Sequence, residues 1–130
     1  MCILLVEDEP LIRLLLAEEL AFEGWQVVEA EDGDRAATVI AAPPMPITLL
    51  ITDMQMPGSR NGLSVAAAMR GADPTTAIVL TTGRPEVLRD ARPLRAHEGI
   101  VLKPFLPSEM IATVRRLIRL RPPRPQPATA

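Results

Sequence analysis

Aromatic residues are scarce in this 130-residue chain, which has no tyrosine, one tryptophan and two phenylalanines, Phe22 and Phe105. A site built on stacked rings, such as one for a flavin, has too few partners here. Cysteine is rarer still. Cys2 alone cannot close an intrachain disulfide, and with a single histidine, His97, the Cys/His spacings of zinc sites are missing. A reducing compartment fits these absences. Neither sign of charge prevails, and a net charge of −2 gives no basic field, so tight nucleic-acid binding through many phosphate contacts is not expected. Long apolar runs are also lacking. The run from Cys2 to Val6 is broken by Glu7, Asp8 and Glu9, which makes it too short for a signal-peptide core, and no later run approaches membrane-spanning length. A soluble, cytoplasmic protein without a membrane partner is expected.

What the chain does have is hydrophobic content of 48%, enough for one core, so its length is read as one domain over residues 1–120 with a Pro/Arg-rich tail over 121–130. Short β-branched or leucine-rich runs alternate with helical segments, the signature of a parallel sheet with helices on its faces. Strands are predicted at Cys2 to Val6, Gln26 to Ala30, Ile47 to Thr52, Ala77 to Thr82 and Ile100 to Leu102. The third is nearly all apolar, as a central strand covered on both faces should be. Helices are predicted from Pro10 to Glu23, Gly33 to Ala42 and Gly62 to Arg70, and from Pro107 with apolar residues at Met110, Ile111, Val114, Leu117 and Ile118. Between Pro85 and Ala96 a further helix is expected to be short or kinked, because Pro93 removes an internal hydrogen bond. After Arg121, the prolines at 122, 123, 125 and 127 have no apolar partners, and the tail reads as extended or disordered. The PxxP spacing of Pro122 and Pro125 is read as part of a frayed terminus. The arginines of the last helix and tail read as a solvated face.

Three of the apolar runs end in a charge: Val6 runs into Glu7 and Asp8, Thr52 into Asp53, and Leu102 into Lys103, the only lysine among fourteen basic residues. Burying an ion costs several kcal/mol unless it is paired or bound to a metal, so the three ends point to one shared polar site. In open parallel sheets that site is the crevice outside the carboxyl ends of the strands. Three carboxylates gathered there repel one another unless a hard cation joins them, and Mg²⁺ favours one or two carboxylates with waters and phosphate oxygens. A carboxylate beside such a metal can serve as nucleophile toward a phosphoryl group, with a lysine and a hydroxyl holding the remaining oxygens. Asp53, alone on the central strand, is the best placed nucleophile; Glu7 and Asp8 read as ligands. In isolation Asp53 would be a helix cap or turn residue, and the companions at the other strand ends reverse that reading. Glu9 reads as a first-turn helix acid. Thr81 and Thr82 project to opposite faces, and Thr82 is favoured because Gly83 beside it leaves room for phosphate.

Taken in order, Glu7-Asp8, Asp53-Met54-Gln55-Met56-Pro57-Gly58, Thr82-Gly83 and Lys103-Pro104-Phe105 resemble the receiver domain of two-component response regulators, of the chemotaxis-regulator, single-domain type. The resemblance covers about residues 2 to 120. It implies a flavodoxin-like, five-stranded doubly wound α/β fold with strand order 2-1-3-4-5. It further implies that Asp53 accepts a phosphoryl group from a histidine kinase or histidine phosphotransfer protein. Asp8, Asp53 and the Gln55 backbone carbonyl would ligate Mg²⁺, with Glu7 reaching it through water, while Thr82 and Lys103 would bind phosphoryl oxygens. The Lys103–Pro104 bond is expected to be cis. No turnover of an external substrate is expected, and output would pass to an unknown protein partner without direct nucleic-acid binding.

The chain departs from that pattern in places. Receivers of this kind carry an aromatic switch residue three positions before the lysine, and here that position is Ile100. Phe105 or the Pro93-interrupted helix is expected to carry more of the response. The loop from Pro57 to Gly62 is one residue longer than the commonest form. Gln55 and Arg84 resemble positions that tune water access to the acyl phosphate, and Arg84 is expected to slow hydrolysis. The alternatives are a binding module that docks without phosphorylation, a phosphate sink, a receiver detached from a hybrid histidine kinase, and a phosphohydrolase acting through an aspartyl phosphate.

Overall fold

A computed structural model describes residues 1–58, 60–91 and 93–124. Five strands, β1 (Cys2–Val6), β2 (Gln26–Ala30), β3 (Ile47–Asp53), β4 (Ala77–Thr82) and β5 (Glu98–Leu102), form one parallel sheet in the order β2-β1-β3-β4-β5. Four α-helices, α1 (Pro10–Phe22), α2 (Gly33–Ala41), α3 (Gly62–Ala72) and α4 (Pro107–Leu120), connect and cover it, with a 3-10 helix at Pro85–Ala91. This is the flavodoxin-like, doubly wound arrangement with strand order 2-1-3-4-5.

The period-two alternation of side chains divides each central strand between two cores. Leu4, Val6, Leu50, Ile78 and Leu80 meet Val39 and Ile40 of α2 and Val65 and Met69 of α3 on one face. On the other, Ile3, Leu5, Leu49, Ile51 and Val79 meet Leu16 and Leu20 of α1 and Met110, Val114 and Leu117 of α4. Because both faces are covered, β1 is buried throughout. At this size such double coverage leaves little room for polar groups except at strand ends.

Local chemistry sets the boundaries. Pro10 opens α1 and Pro107 opens α4, where a missing N–H costs nothing, and Gly24, just past the C-cap Glu23, ends α1 at φ +91°. The Asp32 carboxylate accepts from the Arg35 amide at 2.7 Å to cap α2, and the Asn61 side chain accepts from the Ser64 amide at 3.0 Å to cap α3. The segment expected to be a short or kinked helix is the 3-10 helix, which stops at Ala91 before Pro93.

Strand β5 begins two residues earlier than Ile100, at Glu98, a residue only 6% exposed. Its carboxylate is buried because Arg70 of α3 donates to both of its oxygens, at 2.8 and 3.2 Å, and the Arg95 amide donates at 3.0 Å. Beside it, the His97 ring nitrogen lies 2.9 Å from the Pro74 carbonyl. In the tail, expected to be extended or disordered, residues 121–124 lie outside any helix or strand and are held by two arginines: Arg121 donates to the Thr75 carbonyl at 2.9 Å and Arg124 to the Asp73 carboxylate at 2.7 Å. Those two arginines are therefore not part of a simply solvated face. Residues 125–130, including Pro125 of the PxxP spacing, lie outside the described residues.

Candidate phosphoacceptor site

At the carboxyl ends of β1, β3 and β5, Glu7, Asp8, Asp53 and Lys103 converge. Each of the three acids offers a carboxylate oxygen within 4.8 Å of the others. Lys103 Nζ donates to Glu7 Oε1 at 2.7 Å and to Asp53 Oδ2 at 2.8 Å, bridging residues ninety-six and fifty positions away in the chain. The second oxygens are also engaged. Asp53 Oδ1 accepts from the Gln55 amide at 3.1 Å, and Glu7 Oε2 from the Glu9 amide at 3.2 Å. Among the described residues no buried side-chain polar atom lacks a partner.

Backbone packing holds this geometry in place. The Met54 amide donates to the Thr81 carbonyl at 2.8 Å and the Lys103 amide to the Thr82 carbonyl at 2.9 Å, so the loops after β3 and β5 are pinned to β4. The Lys103–Pro104 peptide is cis, as expected. At the start of α3 the chain passes so close to β3 that a Cβ on Gly62 would sit 1.9 Å from the Asp53 carbonyl oxygen. Only glycine fits there. Gly58, at φ +100°, makes the turn that begins this loop.

Electrostatics follow burial. Burial pushes the Glu7 carboxyl above its usual value of 4.5, against the opposing pull of Lys103. For Lys103, burial works to lower the ammonium pKa, but hydrogen bonds and charge from Asp53 and Glu7 outweigh it and hold the pKa above 10.5. One ammonium among three carboxylates leaves the cluster short of positive charge when all are ionised. Three hard oxygen donors, one of them on the half-exposed Asp8, suit a divalent cation such as Mg²⁺.

Thr82 is buried, and its Oγ1 donates to Gln55 Oε1 at 2.7 Å while accepting from the Arg84 amide at 3.0 Å. Glu9 is exposed, sits at the cap of α1 and stays outside the acid cluster. Ile100 is half-buried and packs against the core on the α2/α3 face, and Phe105 packs against the opposite core. His97 lies at the other end of the sheet, hydrogen-bonded to Pro74 beside the start of β4. Two roles escaped sequence reading. Arg13 donates to the Glu7 carbonyl at 2.7 Å and pairs with Glu29 at 3.5 Å, bracing the acidic loop from α1. Its place on the first turns of the helix after Glu7-Asp8 was the available signal. The Gln55 side chain reaches Thr82, and nothing in the spacing announced it.

Beside Lys103 lies an apolar groove of about 450 Å³ lined by Ile12, Leu15, Leu16, Pro104, Phe105 and Pro107. It continues onto an outer face of α1 whose leucines are open to solvent: Leu11, Leu14 and Leu15 are 62%, 50% and 54% exposed.

Known proteins resemble this chain in sequence and fold. The family model for the response regulator receiver domain matches residues 3–115. The Escherichia coli transcriptional regulatory protein CpxR is 33% identical over 117 residues, covering 90% of this chain and 49% of CpxR. The chain thus spans about half the length of the curated relatives it matches. A response regulator receiver protein from Sinorhizobium medicae superposes with a TM-score of 0.85 at 25% identity, over 94% of this chain and 97% of that one. The response regulator TrrA from Thermotoga maritima, solved in complex with Mg²⁺ and BeF, gives a TM-score of 0.77 at 36% identity over 89% of this chain and 97% of its own. With residues 3–115 matched by that family, this chain belongs to the response regulator receiver domains of two-component systems.

Proposed function

We propose that Asp53 accepts a phosphoryl group from a phosphohistidine on a histidine kinase or histidine phosphotransfer protein, and that the phosphorylated chain signals by altered binding to a protein partner. The observation that carries this reading is the convergence of Glu7, Asp8 and Asp53 on Lys103, with the Lys103 ammonium 2.8 Å from Asp53. The likeness to TrrA, solved with Mg²⁺ and BeF, supports it. Mg²⁺ would be held by Asp8, Asp53 and the Gln55 backbone carbonyl, with Glu7 through water. When bound, the ion neutralises charge on the carboxylates and phosphoryl oxygens.

The chain's own residues do the rest. An Asp53 carboxylate oxygen attacks phosphorus; the O–P bond forms as the donor's N–P bond breaks, and the electron pair returns to the departing imidazole nitrogen. The Lys103 ammonium lies where it offsets the negative charge that the new phosphoryl group brings beside Asp53. The Thr82 hydroxyl donates to another phosphoryl oxygen. Water later cleaves the acyl phosphate, so the chain catalyses its own loading and unloading and turns over no external substrate.

The donor approaches over the apolar groove between α1 and the β5–α4 loop, because that surface is continuous with Lys103 and carries exposed leucines that water alone would otherwise cover. A cytoplasmic setting belongs to this reading, and among the described residues no helix is long and apolar enough to cross a membrane. The test is incubation with a small phosphodonor such as acetyl phosphate. Label incorporated only with Mg²⁺ and lost in Asp53→Asn is expected; label retained in that variant would reject the assignment.

A further inference from the structure

A threonine hydroxyl has one proton to donate, and in this structure Thr82 has already committed it. Its Oγ1 lies 2.7 Å from Gln55 Oε1, a short hydrogen bond, whereas the other nearby acceptor, the Arg84 carbonyl, is at the 3.5 Å limit. The Arg84 amide, donating to the same oxygen at 3.0 Å, fixes the hydroxyl's remaining direction. To hold a phosphoryl oxygen on Asp53, Thr82 must take its proton away from Gln55.

We infer that the Gln55 side chain is a latch on Thr82, a positioning residue whose amide oxygen keeps the threonine hydroxyl from the phosphoacceptor until a phosphoryl group competes for it. This rests on the phosphoacceptor reading above and adds to it a cost built into the resting chain. Gln55 is suited to the task at both ends. Its backbone amide donates to Asp53 Oδ1 at 3.1 Å, which anchors its main chain to the acceptor carboxylate, while its side chain reaches across to β4. It also has somewhere to go. Gln55 lines an open cavity of about 470 Å³ shared with Met56, Leu63, Arg84, Val87 and Asp90, so the freed amide can turn toward the 3-10 helix without entering the core. A methionine of similar length fills the same space without an amide acceptor. Release of the latch thus ties occupancy at Asp53 to a surface formed by Arg84, Val87 and Asp90.

The state with Thr82 turned toward Asp53 is disfavoured by one net hydrogen bond, so removing the latch should strengthen binding of a phosphoryl mimic about fivefold. The experiment uses the whole chain with Mg²⁺ and beryllium trifluoride, read by calorimetry and by the NMR signal of the Gln55 side-chain amide. Gln55→Met is expected to bind beryllium trifluoride about fivefold more tightly than wild type, with Gln55→Ala changed in the same direction. In wild type the Gln55 amide signal should shift on adding the mimic, and in Thr82→Ala it should begin at the released position. In a Thr82→Ala background, Gln55→Met should have no further effect, which separates a latch from a general loosening of the loop. Equal affinity of Gln55→Met and wild type, or a gain that persists without the Thr82 hydroxyl, would overturn the latch and leave the phosphoacceptor reading standing. Failure of wild type to bind the mimic at all would overturn both.

Discussion

Lys103 shows how far single residues could be read. As the only lysine in the chain, standing at the end of an apolar strand, it was marked in the sequence as a paired charge, and it lies between Glu7 and Asp53. Glu98 was not legible in the same way. An acid at the start of a strand carries no sign of the arginine that makes its burial tolerable, because Arg70 stands 28 positions earlier on α3. For Glu98, burial works to raise the carboxyl, but hydrogen bonds from Arg70 and the Arg95 amide, with the charge of both arginines, hold it below the usual 4.5. A carboxyl depressed in the folded state adds stability that is complete above 4.5 and is lost as pH falls through the folded value. Urea unfolding of wild type should therefore show stability falling on acidification below 4.5, with Glu98→Gln less stable at neutral pH and less sensitive to acid. Parallel acid slopes for the two proteins would remove Glu98 from the account. Arg70→Ala leaves the buried carboxylate unpaired and should cost about 3 kcal/mol at neutral pH.

Helices and strands were legible wherever a period repeated: β1 and β2 have the predicted bounds, and α4 has its apolar face where the 3.6-residue repeat put it. Connections were harder, since their conformation depends on what they touch. The loop from Pro57 to Gly62 read as one residue longer than usual, yet its tightest constraint, the contact of Gly62 with the Asp53 carbonyl, joins residues nine apart and has no local signature. Gly62→Ala places a Cβ inside that oxygen's radius, so the start of α3 must retreat from β3. We expect a loss of about 2 kcal/mol in chemical denaturation, accompanied by slower labelling from acetyl phosphate because Asp53 moves with its own backbone. Normal labelling in a destabilised variant would show that the helix start yields and the acceptor does not.

Over the whole molecule, the sheet does the assembling, since the carboxyl ends of β1, β3 and β5 open on one edge and bring together acids and a lysine separated by up to ninety-six positions. Strand order came from the family resemblance and not from periodicity, which is silent about neighbours. Periodicity alone did not mark the outside of α1, where Leu11, Ile12, Leu14 and Leu15 leave an apolar face in water next to the site. A charge on that face should obstruct a protein donor and leave a small one unhindered. Leu15→Arg is expected to slow phosphotransfer from a phosphohistidine protein about tenfold or more, as loss of a buried interface anchor does, with acetyl phosphate labelling little changed. Equal slowing with both donors would mean that the substitution disturbs the site itself. Esterification of Asp53 can be read chemically by loading the chain with acetyl phosphate and Mg²⁺, reducing the acyl phosphate with borohydride and mapping peptides by mass spectrometry. Homoserine at position 53 is the predicted product. Reduction at Asp8 or Glu7, or at no carboxylate of a chain shown to be folded, would rule out Asp53 as the phosphoacceptor.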